Sequence, residues 1–116
     1  MPESRAECVW HGNLANGTGE TKVASGVFGP VPVSWSSRTQ EKAGKTSPEE
    51  LLAAAHASCY CMALSHELTQ RGHAPTALDA TAVVSFEPMQ GGGWHVASSK
   101  LSVKGTVPGI DQNAFQ

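Results

Sequence analysis

Hydrophobic and polar positions follow three regimes along the chain. Between Ala6 and Trp35, apolar residues alternate with polar ones in short runs broken by glycine and proline. From Pro48 to about Gln70 they crowd together at helical spacing, and from Ala80 to Val107 they alternate again in longer runs. A period of two marks half-buried strands, and a continuous helical run marks an amphipathic or buried helix. The pattern predicts one α+β domain, an antiparallel sheet packed on a long buried central helix. Its parts are an N-terminal β meander over 1–38, the central helix over 47–71, a β hairpin over 78–107 and the start of a C-terminal helix over 111–116.

The central helix has a clear beginning. Ser47 can cap it by accepting an orphan backbone N–H, and Pro48 suits the first helical position. Glu49 and Glu50 then sit where the helix dipole favours negative charge, and Ser47 with Glu50 has the spacing of a capping box. From Leu51 to Leu64 every side is apolar or small, apart from His56 and Ser58. Such a helix is a buried one, and it is too short to span a bilayer. Beyond Leu64 it turns amphipathic, and Gly72 is the expected stop.

The strands are read from alternation. Ala6 to His11 forms the first, with Ala6, Cys8 and Trp10 on one face. Gly12 to Gly19 turns, Thr21 to Ser25 returns, and Gly26 to Pro32 runs as an irregular edge. Val31, Val33 and Trp35 then alternate as a strand with Arg38 at its end, followed by a polar linker over Thr39 to Thr46. Ala80, Ala82, Val84 and Phe86 define a strand beyond Pro75, and Gly91 to Gly93 connect it to Trp94–Val107. Alternation slips near Ala97 to Ser99, which predicts a bulge. After Pro108-Gly109, Asp111 reads as an N-cap, and the chain reads as cut just inside its next element.

Composition narrows the class. At 116 residues with 40% hydrophobic, the chain is small for burying an apolar helix on all sides, so a partner subunit is expected. A net charge of −2 offers neither nucleic acid nor an anionic membrane a basic surface. The N-terminus lacks the apolar stretch of a signal peptide, which predicts a soluble cytoplasmic protein. Three cysteines in such a chain suggest core, catalytic or metal-binding roles rather than a disulfide framework.

Cys59 is the leading chemical candidate. Free cysteine is often a plain core residue. Here, however, Arg38 and the acidic helix start lie nearby in sequence. An arginine beside a thiol favours the nucleophilic thiolate, and a carboxylate such as Glu49 could fix that arginine by a bidentate pair. Glu49 and Cys59 are ten residues apart, which is about 15 Å along a straight helix. One arginine cannot serve both on one unbroken helix. Either the helix breaks between them, or the glutamate comes from the facing helix of a second subunit. Cys61 points roughly 200° away from Cys59 and reads as core, as does Cys8. His56, one turn before Cys59, leaves open a Cys–His dyad, although no oxyanion hole or third member can be assigned. Cys59, Cys61, His56 and His66 lack the spacing of structural zinc sites. His11, His66, His73 and His95 read as surface or strand residues.

The run Thr46-Ser47-Pro48-Glu49-Glu50-Leu51-Leu52-Ala53-Ala54-Ala55-His56-Ala57-Ser58-Cys59 resembles the signature of the OsmC/Ohr family of thiol peroxidases. Trp10, the Gly17–Gly19 turn, Ser25-Gly26-Val27, Ser36-Ser37-Arg38 and Val107-Pro108-Gly109-Ile110-Asp111 agree with it, and the Ala-Ala-His form before Cys59 looks more like the OsmC branch. The resemblance implies an intertwined homodimer with two interfacial sites. It implies Cys59 as peroxidatic cysteine, Arg38 as stabiliser of its thiolate and Glu49 as the holder of Arg38. It also implies a hydroperoxide substrate, an external thiol reductant of dihydrolipoyl type, and no metal or haem. The family carries a resolving cysteine in its C-terminal helix. This sequence ends at Gln116, before that place, and neither Cys8 nor Cys61 matches it. Two other readings remain beside it: a hydrophobic-ligand-binding domain with an inert Cys59, and a purely structural dimer with three core cysteines.

Overall fold

Along the chain, three strands and a short helix precede the long helix and two strands follow it. The computed structural model describes residues 3–40 and 44–109. The chain divides into two compact units, Met1–Leu51 and Leu52–Gln116, each described by itself.

In the first unit, β1 (Ala6–His11), β2 (Thr18–Val23) and β3 (Val31–Val33) form one sheet in the order β1-β2-β3. Strand β2 begins at Thr18, earlier than the expected Thr21, because the turn closes tightly. Gly17 N–H donates to the Asn13 carbonyl at 2.8 Å and Asn16 N–H to the Asn13 side chain at 2.8 Å. Pairing then starts at once, His11 opposite Thr18 and Trp10 opposite Gly19. Gly19 is needed there, since a Cβ would lie 2.7 Å from the Trp10 ring.

Trp35 departs from the strand reading. Strand β3 stops at Val33, and Trp35–Thr39 is a short helix, α1, so Arg38 lies in a helical turn rather than at a strand end. Ser34 is responsible: its Oγ accepts from Ser37 N–H at 3.1 Å, while Ser34 N–H donates to Ser37 Oγ at 3.0 Å. These local bonds offer the backbone an alternative to the ladder. Of the linker that follows, residues 41–43 lie outside the described residues. Thr46 returns to the sheet, its N–H donating to the Pro32 carbonyl at 2.9 Å.

Helix α2 (Pro48–Gln70) starts on Ser47, whose Oγ accepts from Glu50 N–H at 3.1 Å. It ends in a Schellman arrangement: His73 N–H reaches the Leu68 carbonyl at 2.8 Å and Gly72 N–H the Thr69 carbonyl at 3.0 Å. Gly72 sits at φ 83°, a conformation that costs any residue with a Cβ. In the second unit, β4 (Ala77–Pro88) pairs with β5 (Trp94–Thr106). Ser85 faces Ser98, but Phe86 faces Val96. Ala97 is thus the extra residue of a bulge, at the place where the alternation slips. The helix expected over 111–116 lies outside the described residues.

The expectation of a helix covered on every side is not met within one chain. Among the described α2 residues only Glu49 and Leu68 are buried, while Leu52 is 48% and Met62 73% exposed. A two-stranded ribbon such as β4–β5 is about as wide as one helix and can cover only one side of it. Cys59 is likewise exposed, not shielded. The core reading of Cys8 and Cys61 is corrected as well: Cys61 is half-buried, and Cys8 is exposed on the edge strand β1, where every residue is exposed. No helix among the described residues is long and apolar enough to cross a membrane.

Candidate functional site

Arg38 and Glu49 meet. Arg38 Nε lies 3.1 Å from both Glu49 carboxylate oxygens, and its Nη2 lies 3.0 Å from Oε2. This is a two-pronged, charge-assisted contact that fixes the plane of the guanidinium. The Glu49 side chain is 7% exposed and that of Arg38 33%, so a buried carboxylate holds an arginine that is itself half-buried. Glu49 occupies the first turn of α2, where the dipole favours its charge.

A small polar network sets this pair. Ser37, 1% exposed, lies next to Arg38 in α1. Its hydroxyl oxygen is 2.8 Å from both the Ser34 and the Thr46 carbonyls. Its one hydroxyl hydrogen is shared between the N-cap carbonyl of α1 and the Thr46 carbonyl just before α2. Ser47, fully buried, caps the helix that carries Glu49. Thr46 also donates its hydroxyl to Glu50 at 2.6 Å. Ser34, Ser37 and Thr46 did not stand out in the sequence as site residues. The signal that could have found them is the Ser-x-x-Ser spacing at 34–37, a weaker relative of the capping box.

Cys59 belongs to the second unit and carries a free thiol, as do Cys8 and Cys61. Helix α2 runs without a break from Pro48 to Gln70. Of the two arrangements open from spacing, a break between Glu49 and Cys59 is therefore not the one adopted. Ser58, beside the thiol, bonds back to the Ala54 carbonyl at 2.8 Å. His56, considered for a dyad with Cys59, engages Ser99 of β5 instead, Nδ1 to Oγ at 2.5 Å. Cys61 lines an open groove with Met62, Ser65, His66, Pro75 and Leu78. Among the described residues no group of three or more His, Cys, Asp or Glu is placed to hold a metal ion.

Comparison with known proteins decides the lineage. The OsmC family profile, described as OsmC-like protein, matches residues 40–116. This chain belongs to the OsmC-like family. Two relatives named peroxiredoxin OsmC, from Escherichia coli (strain K12) and Shigella flexneri, are each 38% identical over 113 residues, covering 96% of this chain and 76% of theirs. Solved OsmC-like structures share the fold. An OsmC-like protein of unknown function from Vibrio cholerae superposes with TM-score 0.70 at 16% identity, covering 97% of this chain and 79% of its own. An organic hydroperoxide resistance protein OsmC from Legionella pneumophila gives TM-score 0.67 at 20% identity, covering 97% and 76%. The organic hydroperoxide resistance protein OhrB of Bacillus subtilis gives 0.62 at 21%, covering 96% and 82%. The α+β class is that of these OsmC and Ohr structures. The OsmC signature read from Thr46 to Cys59 lies wholly inside the matched segment.

Proposed function

We propose that this chain is a thiol-dependent peroxidase that reduces organic hydroperoxides, and hydrogen peroxide less well, in defence against oxidative and osmotic stress. Family membership and 38% identity to two peroxiredoxins over most of the chain support the enzyme class. The observation that carries the residue assignment is the Arg38–Glu49 pair, a buried carboxylate holding a half-buried guanidinium, together with an exposed thiol at Cys59 on the helix that carries Glu49.

In this reading the Cys59 thiolate attacks the terminal oxygen of R–O–O–H. The S–O bond forms, the O–O bond breaks, and the electron pair leaves on R–O⁻, which takes a proton and departs as the alcohol. Cys59 is left as a sulfenic acid. Arg38 stabilises the thiolate and polarises the peroxide, and Glu49 keeps the guanidinium aimed. An external thiol then condenses with the sulfenic acid, releasing water, and a second thiol frees Cys59 as the disulfide of the reductant forms. A dihydrolipoyl-type dithiol supplies both equivalents, and no metal or haem takes part.

The active form is a homodimer. About 15 Å of helix axis separates residues ten apart, as Glu49 and Cys59 are on α2. A facing α2 from a second copy would offer its Arg38–Glu49 pair to this chain's Cys59, and cover the exposed Leu52, Tyr60 and Met62. The same apolar side chains suit an organic peroxide better than a hydrated one. Peroxide consumption with a dithiol reductant tests the reading: Cys59→Ser should abolish it. No dithiol-dependent turnover in the wild-type chain would leave it as an apolar-ligand-binding domain of the OsmC fold, and turnover surviving in Cys59→Ser would remove Cys59 from the chemistry.

A further inference from the structure

We infer that His56 is a positioning residue for Cys59, acting through its hydrogen bond to Ser99; this rests on the reading of Cys59 as the peroxidatic thiol. Two polar side chains set among apolar neighbours in their own elements have found each other, although Ser99 is itself exposed. On α2, His56 and Ser58 are the only residues from Leu51 to Leu64 besides the cysteines and Tyr60 with polar side-chain atoms, and Ser58 is satisfied by its own helix. On β5, Ser99 shares a face with Leu101 and Val103, and these stand opposite Val84, Ala82 and Ala80 in turn. All of these partners on β4, with Leu101 and Val103, are half-buried. The row is apolar except at Ser99, and there the His56 ring meets it.

The bulge creates the row. Before Ala97, Val96 stands opposite Phe86; after it, Ser99 stands opposite Val84 on the same face. Without the extra residue, strict alternation would have put Ser98, Lys100 and Ser102 in that row, because the side-chain period is two. The strand thus carries an irregularity that brings one hydroxyl to one imidazole.

His56 and Cys59 are three residues apart on the helix, about 60° apart around the axis and about 4.5 Å along it. They therefore share a face. A directional bond at His56 fixes the rotation of that turn against β5, where apolar packing alone would permit small slides. Attack on an O–O bond needs sulfur in line with the breaking bond, and a misplacement of about 1 Å can cost roughly a hundredfold in rate.

The test is single-turnover oxidation of Cys59 in the reduced full chain by tert-butyl hydroperoxide, with the rate expressed per folded molecule from circular dichroism. His56→Leu should slow it by about tenfold to a hundredfold, and Ser99→Ala should slow it in the same direction. His56→Asn, whose amide reaches the place of Nδ1, should restore most of the rate, whereas His56→Gln, whose amide reaches the place of Nε2, should not. Ser99→Ala at the wild-type rate, or His56→Asn as slow as His56→Leu, overturns the inference. So does a set of variants that melt earlier but oxidise at the wild-type rate per folded molecule. Should His56→Leu not fold, Ser99→Ala and the two amide variants still decide. Failure of the peroxidase reading is separately visible, because Cys59→Ser would then consume peroxide like the wild type whatever happens at His56.

Discussion

The Arg38–Glu49 anchor and the Cys59 turn of α2 are built on opposite plans. The anchor is complete within one chain. Its carboxylate is buried, its guanidinium is doubly bonded, and the serines behind it are buried and hydrogen-bonded. The Cys59 turn is exposed and lies among exposed apolar side chains such as Tyr60 and Met62. A buried charge pair is held only where its hydrogen bonds are satisfied, so the anchor must be preformed. An apolar helix surface gains by being covered, so the thiol region is the part that the proposed dimer would finish. The contrast teaches that a buried charge pair has to be satisfied inside its own chain, whereas an apolar helix face can be left for a partner to cover.

The comparison can be broken from either side. The largest effect is expected at the anchor. Arg38→Ala should lower peroxide turnover by about a hundredfold to a thousandfold, the usual loss when one preorganised charge-stabilising group is removed. Uptake of a hydrophobic dye by an apolar surface should barely change. Peroxide consumption and dye fluorescence on the same sample check both halves. At the thiol region, Met62→Glu places a charge on a side chain 73% exposed in the single chain. The single chain should tolerate it within about 0.5 kcal/mol, while the proposed dimer should dissociate and turnover fall by about tenfold. Light scattering alongside kinetics checks this; an unchanged mass with full activity would break the account of the thiol region. The smallest effect is expected behind the anchor. Ser37→Ala removes the buried hydroxyl that bonds to the Ser34 and Thr46 carbonyls and should destabilise the fold by about 1–3 kcal/mol, with a loss of turnover smaller than that of Arg38→Ala. Urea denaturation with parallel assays measures it.

What the sequence revealed follows the range of the forces involved. The limits of α2 were legible because Ser47, Pro48 and Gly72 act on neighbours within a turn. The bulge was legible because a slip in alternation is itself a local signal. Trp35 was misread because its apolar spacing with Val31 and Val33 fits a strand, while the Ser34–Ser37 bonds that start α1 show only as a weak spacing. The exposure of Cys59 was not legible, because an apolar run tells that a surface wants cover and not whether one chain provides it. Arg38 and Glu49 were named from residue type and resemblance. Their contact spans eleven residues and lies beside the Ser37–Thr46 bond, nine residues apart, neither of which a short-range pattern announces. His56 was weighed as a partner for the thiol, and its actual partner, Ser99, is 43 residues away.

The most direct test of the central claim is a peptide-resolved mass analysis of the reduced protein after a brief stoichiometric dose of an organic hydroperoxide. The account predicts oxidation at Cys59, trapped as a sulfenic acid or as its adduct with the added thiol, with Cys8 and Cys61 spared. A reduced Cys59, or all three thiols oxidised alike, would contradict it.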